Sequence, residues 1–199
     1  MIPTETQIRA MHREAAPSRE AFASVWTHCR IVWSIASQLI TSRGAHAASG
    51  GVPDLDVDLV RAGCLLHDIG VHRLAADDPY VRHGVLGEEL LRDLGLPEVL
   101  SRFCSHHTGV GITAADVTAQ GLPLPVADYL AETAEERIVM YADKFHSKST
   151  PPSFVTSDTF VAAVSRFGAD KPARFDALTR EFGQPNLTPL VCEFGHSVR

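Results

Sequence analysis

The sequence is short of several features that would assign it quickly. Its four cysteines, Cys29, Cys64, Cys104 and Cys192, form no CxxC pair. That argues against a disulfide framework or a structural thiolate zinc site, and suits reduced, buried thiols in a cytoplasmic protein. No stretch approaches the roughly 20 apolar residues of a membrane span, and the polar opening MIPTETQIRAMHREAAPSRE has no apolar signal core. A basic excess is missing too. The formal charge of −6 argues against nucleic-acid polymers and anionic membranes as partners. Small anionic substrates are still allowed, because a local cluster of metal and Lys or Arg can outweigh the global sign. No segment alternates as a strand does, and no Ser-His-Asp or cysteine nucleophile motif stands out.

What is present is helical periodicity. Phe22, Val25, Trp26, Cys29, Val32, Trp33, Ala36 and Ile40 recur at spacings of three and four, which predicts a long amphipathic helix over 18–41 with Ser18 as its cap. The two tryptophans read as core. RGAHAASGGVPD follows as a loop, then an apolar helix over 56–68 stopped by Gly70. Short helices are expected over 83–94 and 97–107, separated by GLP. Thr133 and Glu136 frame a capping box into a helix over 134–147, and helices over 157–167 and 171–182 complete the set. The fold class is therefore all-α, a helical bundle of seven to nine helices around one core. A chain of 199 residues can bury such a core. Its division is into a helical domain over 18–150 and a C-terminal helical extension, 151–199, packed on that core.

Ten histidines are more than this packing needs, and their placement follows the apolar runs. His28 lies inside the first long helix, and His67 and Asp68 end the next, in AGCLLHDIGVHR. His83 opens HGVLGEELL, His106 and His107 close RFCSHH, and Asp143 sits in VMYADKF. Burying a lone carboxylate costs several kcal/mol unless it finds a partner. Metal sites in helical bundles are built from inward-facing His and carboxylate side chains on separate helices. Imidazole with carboxylate suits Fe, Mn, Ni, Co or Zn. His12, His46, His146 and His196 have no such support, although His146, one turn after Asp143, could line the cleft.

In this order the residues resemble the HD-domain superfamily of metal-dependent phosphohydrolases. LLHDIG is similar to its signature and ADKF to its closing Asp motif, and RHGVLG and HHTGVGIT resemble segments of small bacterial and archaeal HDIG proteins. The resemblance spans roughly residues 22–150. It implies that His28, His67, Asp68 and Asp143 hold a first divalent metal. It also implies that His83 and the His106/His107 pair go with a second metal, with Asp68 bridging. His107 is favoured over His106, and both stand as candidates. Many such proteins carry Lys after HDIG, where this chain has Val71-His72. The phosphate-holding base must then come from elsewhere: Lys144 first, as a catalytic and substrate-binding group, then Lys148, with Arg82 and Arg43 behind them.

The implied activity is hydrolysis of a phosphomonoester or phosphodiester, nucleotide-type, by attack of a metal-bound hydroxide, whose formation coordination permits near neutral pH. Two other readings go with the same ligand set: a non-catalytic, nucleotide-binding regulatory module, and a di-iron oxygenase. The partner is a small phosphorylated substrate, and a homo-oligomer is allowed.

Overall fold

The computed structural model describes residues 1–46 and 55–199, with the side chains of 43–46 excepted. The loop expected over 43–54 falls largely outside the described residues. Those residues form ten α-helices and three two-residue strands: α1 (Glu5–Ala15), α2 (Arg19–His46), α3 (Val57–Leu66), α4 (His83–Asp93), α5 (Glu98–Ser105), α6 (Ala114–Gln120), α7 (Ala134–Asp143), β1 (His146–Ser147), β2 (Ser153–Phe154), α8 (Ser157–Val164), α9 (Lys171–Phe182), α10 (Thr188–Phe194) and β3 (Ser197–Val198). The all-α class holds, and the helix count exceeds the expected seven to nine. None of these helices is long and apolar enough to cross a membrane.

The extra helices have physical reasons for escaping the pattern. In α1 only Ile8 and His12 are buried, so there is no apolar stripe to read. A capping box between Thr4 and Gln7 starts it instead. Helices α6 and α10 have seven residues each and bury one side chain apiece, Val117 and Leu190. The expected capping box at Thr133 and Glu136 forms. Helix α7 then stops at Asp143 rather than 147, because the chain turns into β1. That strand runs antiparallel to β2, which pairs in parallel with β3. Strands of two residues show no alternation to detect.

Helix α2 is the axis of the molecule. The Ser18 hydroxyl accepts from Ala21 N at 3.1 Å, as a cap should. Its first half contributes Val25, Trp26 and Cys29 to a cluster with Leu65, Leu66, Ile69, Leu91 and Leu100. Its second half contributes Ile31, Ile35 and Leu39 to a larger cluster with Val139, Tyr141, Phe145, Phe175 and Phe182. His28 lies on α2 beside Cys29, close to where the first set gives way to the second. The aromatic residues of α9 thus share a core with α2 and α7, and Tyr141 Oη ties them by donating to Gly183 O at 2.8 Å.

Gly70 has a different role from the expected helix stop. Helix α3 already ends at Leu66, with His67 as its cap. A Cβ at Gly70 would lie 2.0 Å from His83 O and 2.3 Å from Gly87 N. Only glycine permits the turn after α3 to press on the start of α4, which brings His67, Asp68 and His83 together.

Candidate metal centre

Six side chains from five elements converge beside α2. His67 keeps helical dihedrals, but Asp68 departs from them (φ −105°, ψ 10°), so neighbouring residues turn into one space. His28 comes from α2, His83 from the first turn of α4, His107 from just beyond α5, and Asp143 from the last turn of α7. Helix ends, and for His28 the interior of α2, fix every backbone involved.

The donor atoms form two groups that share Asp68. In the first, His28 Nε2 is 3.1 Å from Asp68 Oδ2, 2.9 Å from Asp143 Oδ1 and 3.2 Å from His67 Nε2. In the second, His83 Nε2 is 3.0 Å from His107 Nε2 and 3.4 Å from Asp68 Oδ1, with His107 Nε2 at 3.7 Å from the same oxygen. Ligands bound to one ion at about 2.1 Å stand roughly 3–3.5 Å apart, so both groups could hold a metal ion.

The hydrogen bonds show why a cation fits. The Nδ1 atoms of His67, His83 and His107 lie 2.8, 2.6 and 2.9 Å from the carbonyls of Cys64, Tyr80 and Phe103. A carbonyl only accepts, so each Nδ1 carries a proton. In His83 and His107 the Nε2 then presents a lone pair. In His67, against the effect of burial, Asp68 and Asp143 raise the pKa well above the ordinary histidine value and keep a proton on Nε2 as well. Burial lowers the pKa of His83 and holds His107 well below the ordinary histidine value. Two neutral nitrogens therefore face each other at 3.0 Å with no proton between them. Beside them Asp68 Oδ1 is buried and accepts no hydrogen bond. Orphaned acceptors of this kind are costly, and a divalent cation satisfies all three.

Further groups brace and charge the site. His28 Nδ1 is 2.8 Å from His146 Nδ1, and His146 Nε2 is 2.9 Å from His196 Nδ1. Burial, then the adjacent His28 and His196, lower His146 to about 2. A neutral His146 can accept from His28 and leave His28 Nε2 free to ligate. The ammonium of Lys148 contacts Asp68 Oδ2. That of Lys144 donates to Asp143 Oδ2 at 2.6 Å and to His107 O at 2.8 Å. Against the opposing effect of burial, Lys148 and His67 hold the Asp68 carboxyl well below its usual range.

The expected residues separate accordingly. His28, His67, Asp68, His83, His107 and Asp143 are brought together. His106, also expected as a ligand, stands outside both groups: it caps α5, and its Nδ1 meets Ser105 Oγ at 2.6 Å. The turn at the helix end sends the two adjacent rings apart. Arg82 pairs with Asp78 and does not line the cavity that opens from the site, whereas Lys144 and Lys148 do. The side chain of Arg43 lies outside the described residues. His196 was unsupported by the sequence because its partner lies 50 residues away and no motif links them.

The site opens into a cavity of about 820 Å³, lined at one end by Asp68, His83, His107 and Asp143. The domain model for the HD domain matches residues 25–148, which span all six converging side chains. This chain belongs to the HD domain family. The HD chain is 42% identical over 120 residues to an uncharacterized protein of Methanocaldococcus jannaschii, covering 60% of this chain and 64% of that one. Over 92 residues it is 44% identical to a tRNA (cytidine(56)-2′-O)-methyltransferase of Picrophilus torridus, covering 46% of this chain but 25% of the methyltransferase. The matches thus span less than two thirds of either relative. In fold it resembles the HD domain of L. monocytogenes phosphodiesterase PgpH, solved with cyclic-di-AMP. The TM-score is 0.51 at 14% identity, over 97% of this chain and 99% of that one.

Proposed function

We propose that this HD protein is a metal-dependent phosphohydrolase acting on a phosphomonoester or phosphodiester. The observation that carries this reading is the pair of donor groups joined at Asp68, with two lysines beside them on one cavity wall. His28, His67, Asp68 and Asp143 would hold one divalent ion, and Asp68, His83 and His107 a second. Bound there, such ions supply Lewis acidity and a water of lowered pKa.

The chain's own groups would do the rest. Lys144 is fixed by Asp143 and the His107 carbonyl, so its charge meets the phosphate oxygens without reorganising. Lys148 sits on Asp68 and 5.7 Å from the Tyr80 ring centre, where it adds a second positive charge. His83 and His107 are held neutral in one tautomer by backbone carbonyls, so no proton need move to prepare them, whereas His67 would give up its Nε2 proton to a metal. The fold neighbour's cyclic-di-AMP is a phosphodiester, in keeping with the reaction class.

The test is release of phosphate or alcohol from a panel of esters with Mn²⁺, Fe²⁺, Co²⁺ or Ni²⁺, with Asp68→Ala as the paired control. Metal-dependent turnover is expected, falling on the order of a thousandfold in the variant as both donor groups lose a member. Full activity with retained metal in Asp68→Ala would sink the assignment.

A further inference from the structure

The cavity continues well beyond the donor groups, and its far wall is of another kind. Ile112 and Leu122 flank α6, and Phe160, Ala163 and Val164 of α8 with Phe167 just after it continue an apolar stretch of the lining. The last four lie outside residues 25–148, the part matched by the family. Arg199 and Thr159 also line this cavity, the Thr159 hydroxyl accepting from Thr156 Oγ1 at 2.9 Å, and Asp116, Lys171 and Gln120 are engaged as well. Asp116 and Lys171 both reach the cavity, but Lys171 Nζ donates to Asp116 Oδ2 at 2.6 Å, and the two charges cancel. Gln120 donates its amide to Phe167 O at 3.1 Å.

A phosphate bound between the lysines would fill a small part of about 820 Å³. The remainder, in the same continuous cavity, must take whatever is joined to that phosphate. A sugar would bring several hydroxyls to a wall mostly of Val, Ile, Leu and Phe, with Thr159, Gln120 and Arg199 too few to replace the hydrogen bonds to water that they lose. An uncharged aryl or alkyl group would instead gain by leaving water. We infer that the substrate is a phosphate ester whose other half is apolar, and that the C-terminal extension supplies the specificity wall through Phe160, Ala163, Val164 and Phe167. The placement of the phosphate rests on the phosphohydrolase reading; the chemistry of the wall does not.

The experiment is equilibrium binding to the Mn²⁺-loaded protein by calorimetry, with ligands whose carbon–phosphorus bond is not hydrolysed. Three are compared: 1-naphthylmethylphosphonate, methylphosphonate, and the phosphonate analogue of adenosine monophosphate. The naphthyl compound is expected to bind at least tenfold tighter than either other, with the negative heat-capacity change of apolar burial. Phe167→Ala is expected to narrow its advantage over methylphosphonate about fivefold by removing apolar contact. Ala163→Trp, which fills the wall, should narrow it by about tenfold. Equal affinities, preference for the nucleoside phosphonate, or binding of none of the three overturns the inference. The ester panel separates the two failures. Naphthyl preference without turnover on any ester leaves the wall and removes the hydrolase, whereas turnover without preference does the reverse.

Discussion

Asp68 and Glu136 are both buried carboxylates, and the protein surrounds them in opposite ways. Glu136 accepts from Arg102 Nε at 2.6 Å and Nη2 at 3.2 Å, and from the amides of Glu132 at 2.7 Å and Thr133 at 3.3 Å. Both of its oxygens are satisfied by donors that nothing else needs to supply. Asp68 is as deeply buried, yet one oxygen accepts nothing, and two of the nearby nitrogens, those of His83 and His107, present lone pairs rather than protons. A structural carboxylate is closed by the fold. Asp68 is left open, as a carboxylate proposed to take a cation would be.

The sharpest way to press this difference is to add the cation. Mn²⁺ at a hundred times its Kd should raise the unfolding free energy by about 2.7 kcal/mol per site, read from denaturant titrations with and without metal. Asp68→Asn should abolish most of that gain, while Glu136→Gln should retain it. Equal metal responses in the two variants would erase the distinction. A smaller effect separates the donor groups from each other. His107→Ala removes one nitrogen from the second group only, so bound metal should fall from two ions to one, with activity down roughly a hundredfold. Elemental analysis of the purified variant decides it; loss of both ions would mean the groups do not act as separate sites.

The smallest effect belongs to Glu136. Burial works to raise its pKa, but Arg102 and the Glu132 and Thr133 amides prevail and lower it. A carboxyl depressed in the folded state contributes stability that is present above the ordinary glutamate range and is lost as pH falls through the depressed value. Glu136→Gln should therefore cost about 1–2 kcal/mol at neutral pH and flatten this part of the acid decline. Melting temperature followed from pH 7 to 3, without metal, measures it. An unchanged acid slope would count against the pairing as a source of stability.

How far each region was legible follows from the same chemistry. His67-Asp68 after an apolar run is a local anomaly that announces itself, and His28, His83 and Asp143 share that signature. The phasing of His106 and His107 was not legible, because it depends on the turn that follows Ser105. Gly70 read as a helix stop, since a sequence does not show the carbonyl 2.0 Å from its missing Cβ. The strands β1 to β3 are held by partners far along the chain. Phe160, Val164 and Phe167 were hardest of all: an apolar residue facing a cavity looks, in sequence, like one facing the core.

The chain of imidazoles has a consequence for when the centre comes into being. His28 is braced by His146, 118 residues later, and His146 by His196, a further 50. During synthesis the first donor leaves the ribosome long before either brace exists, and contacts this distant in sequence form late in folding. On the proposed reading, His28 is fully braced for a metal only after β3 has docked.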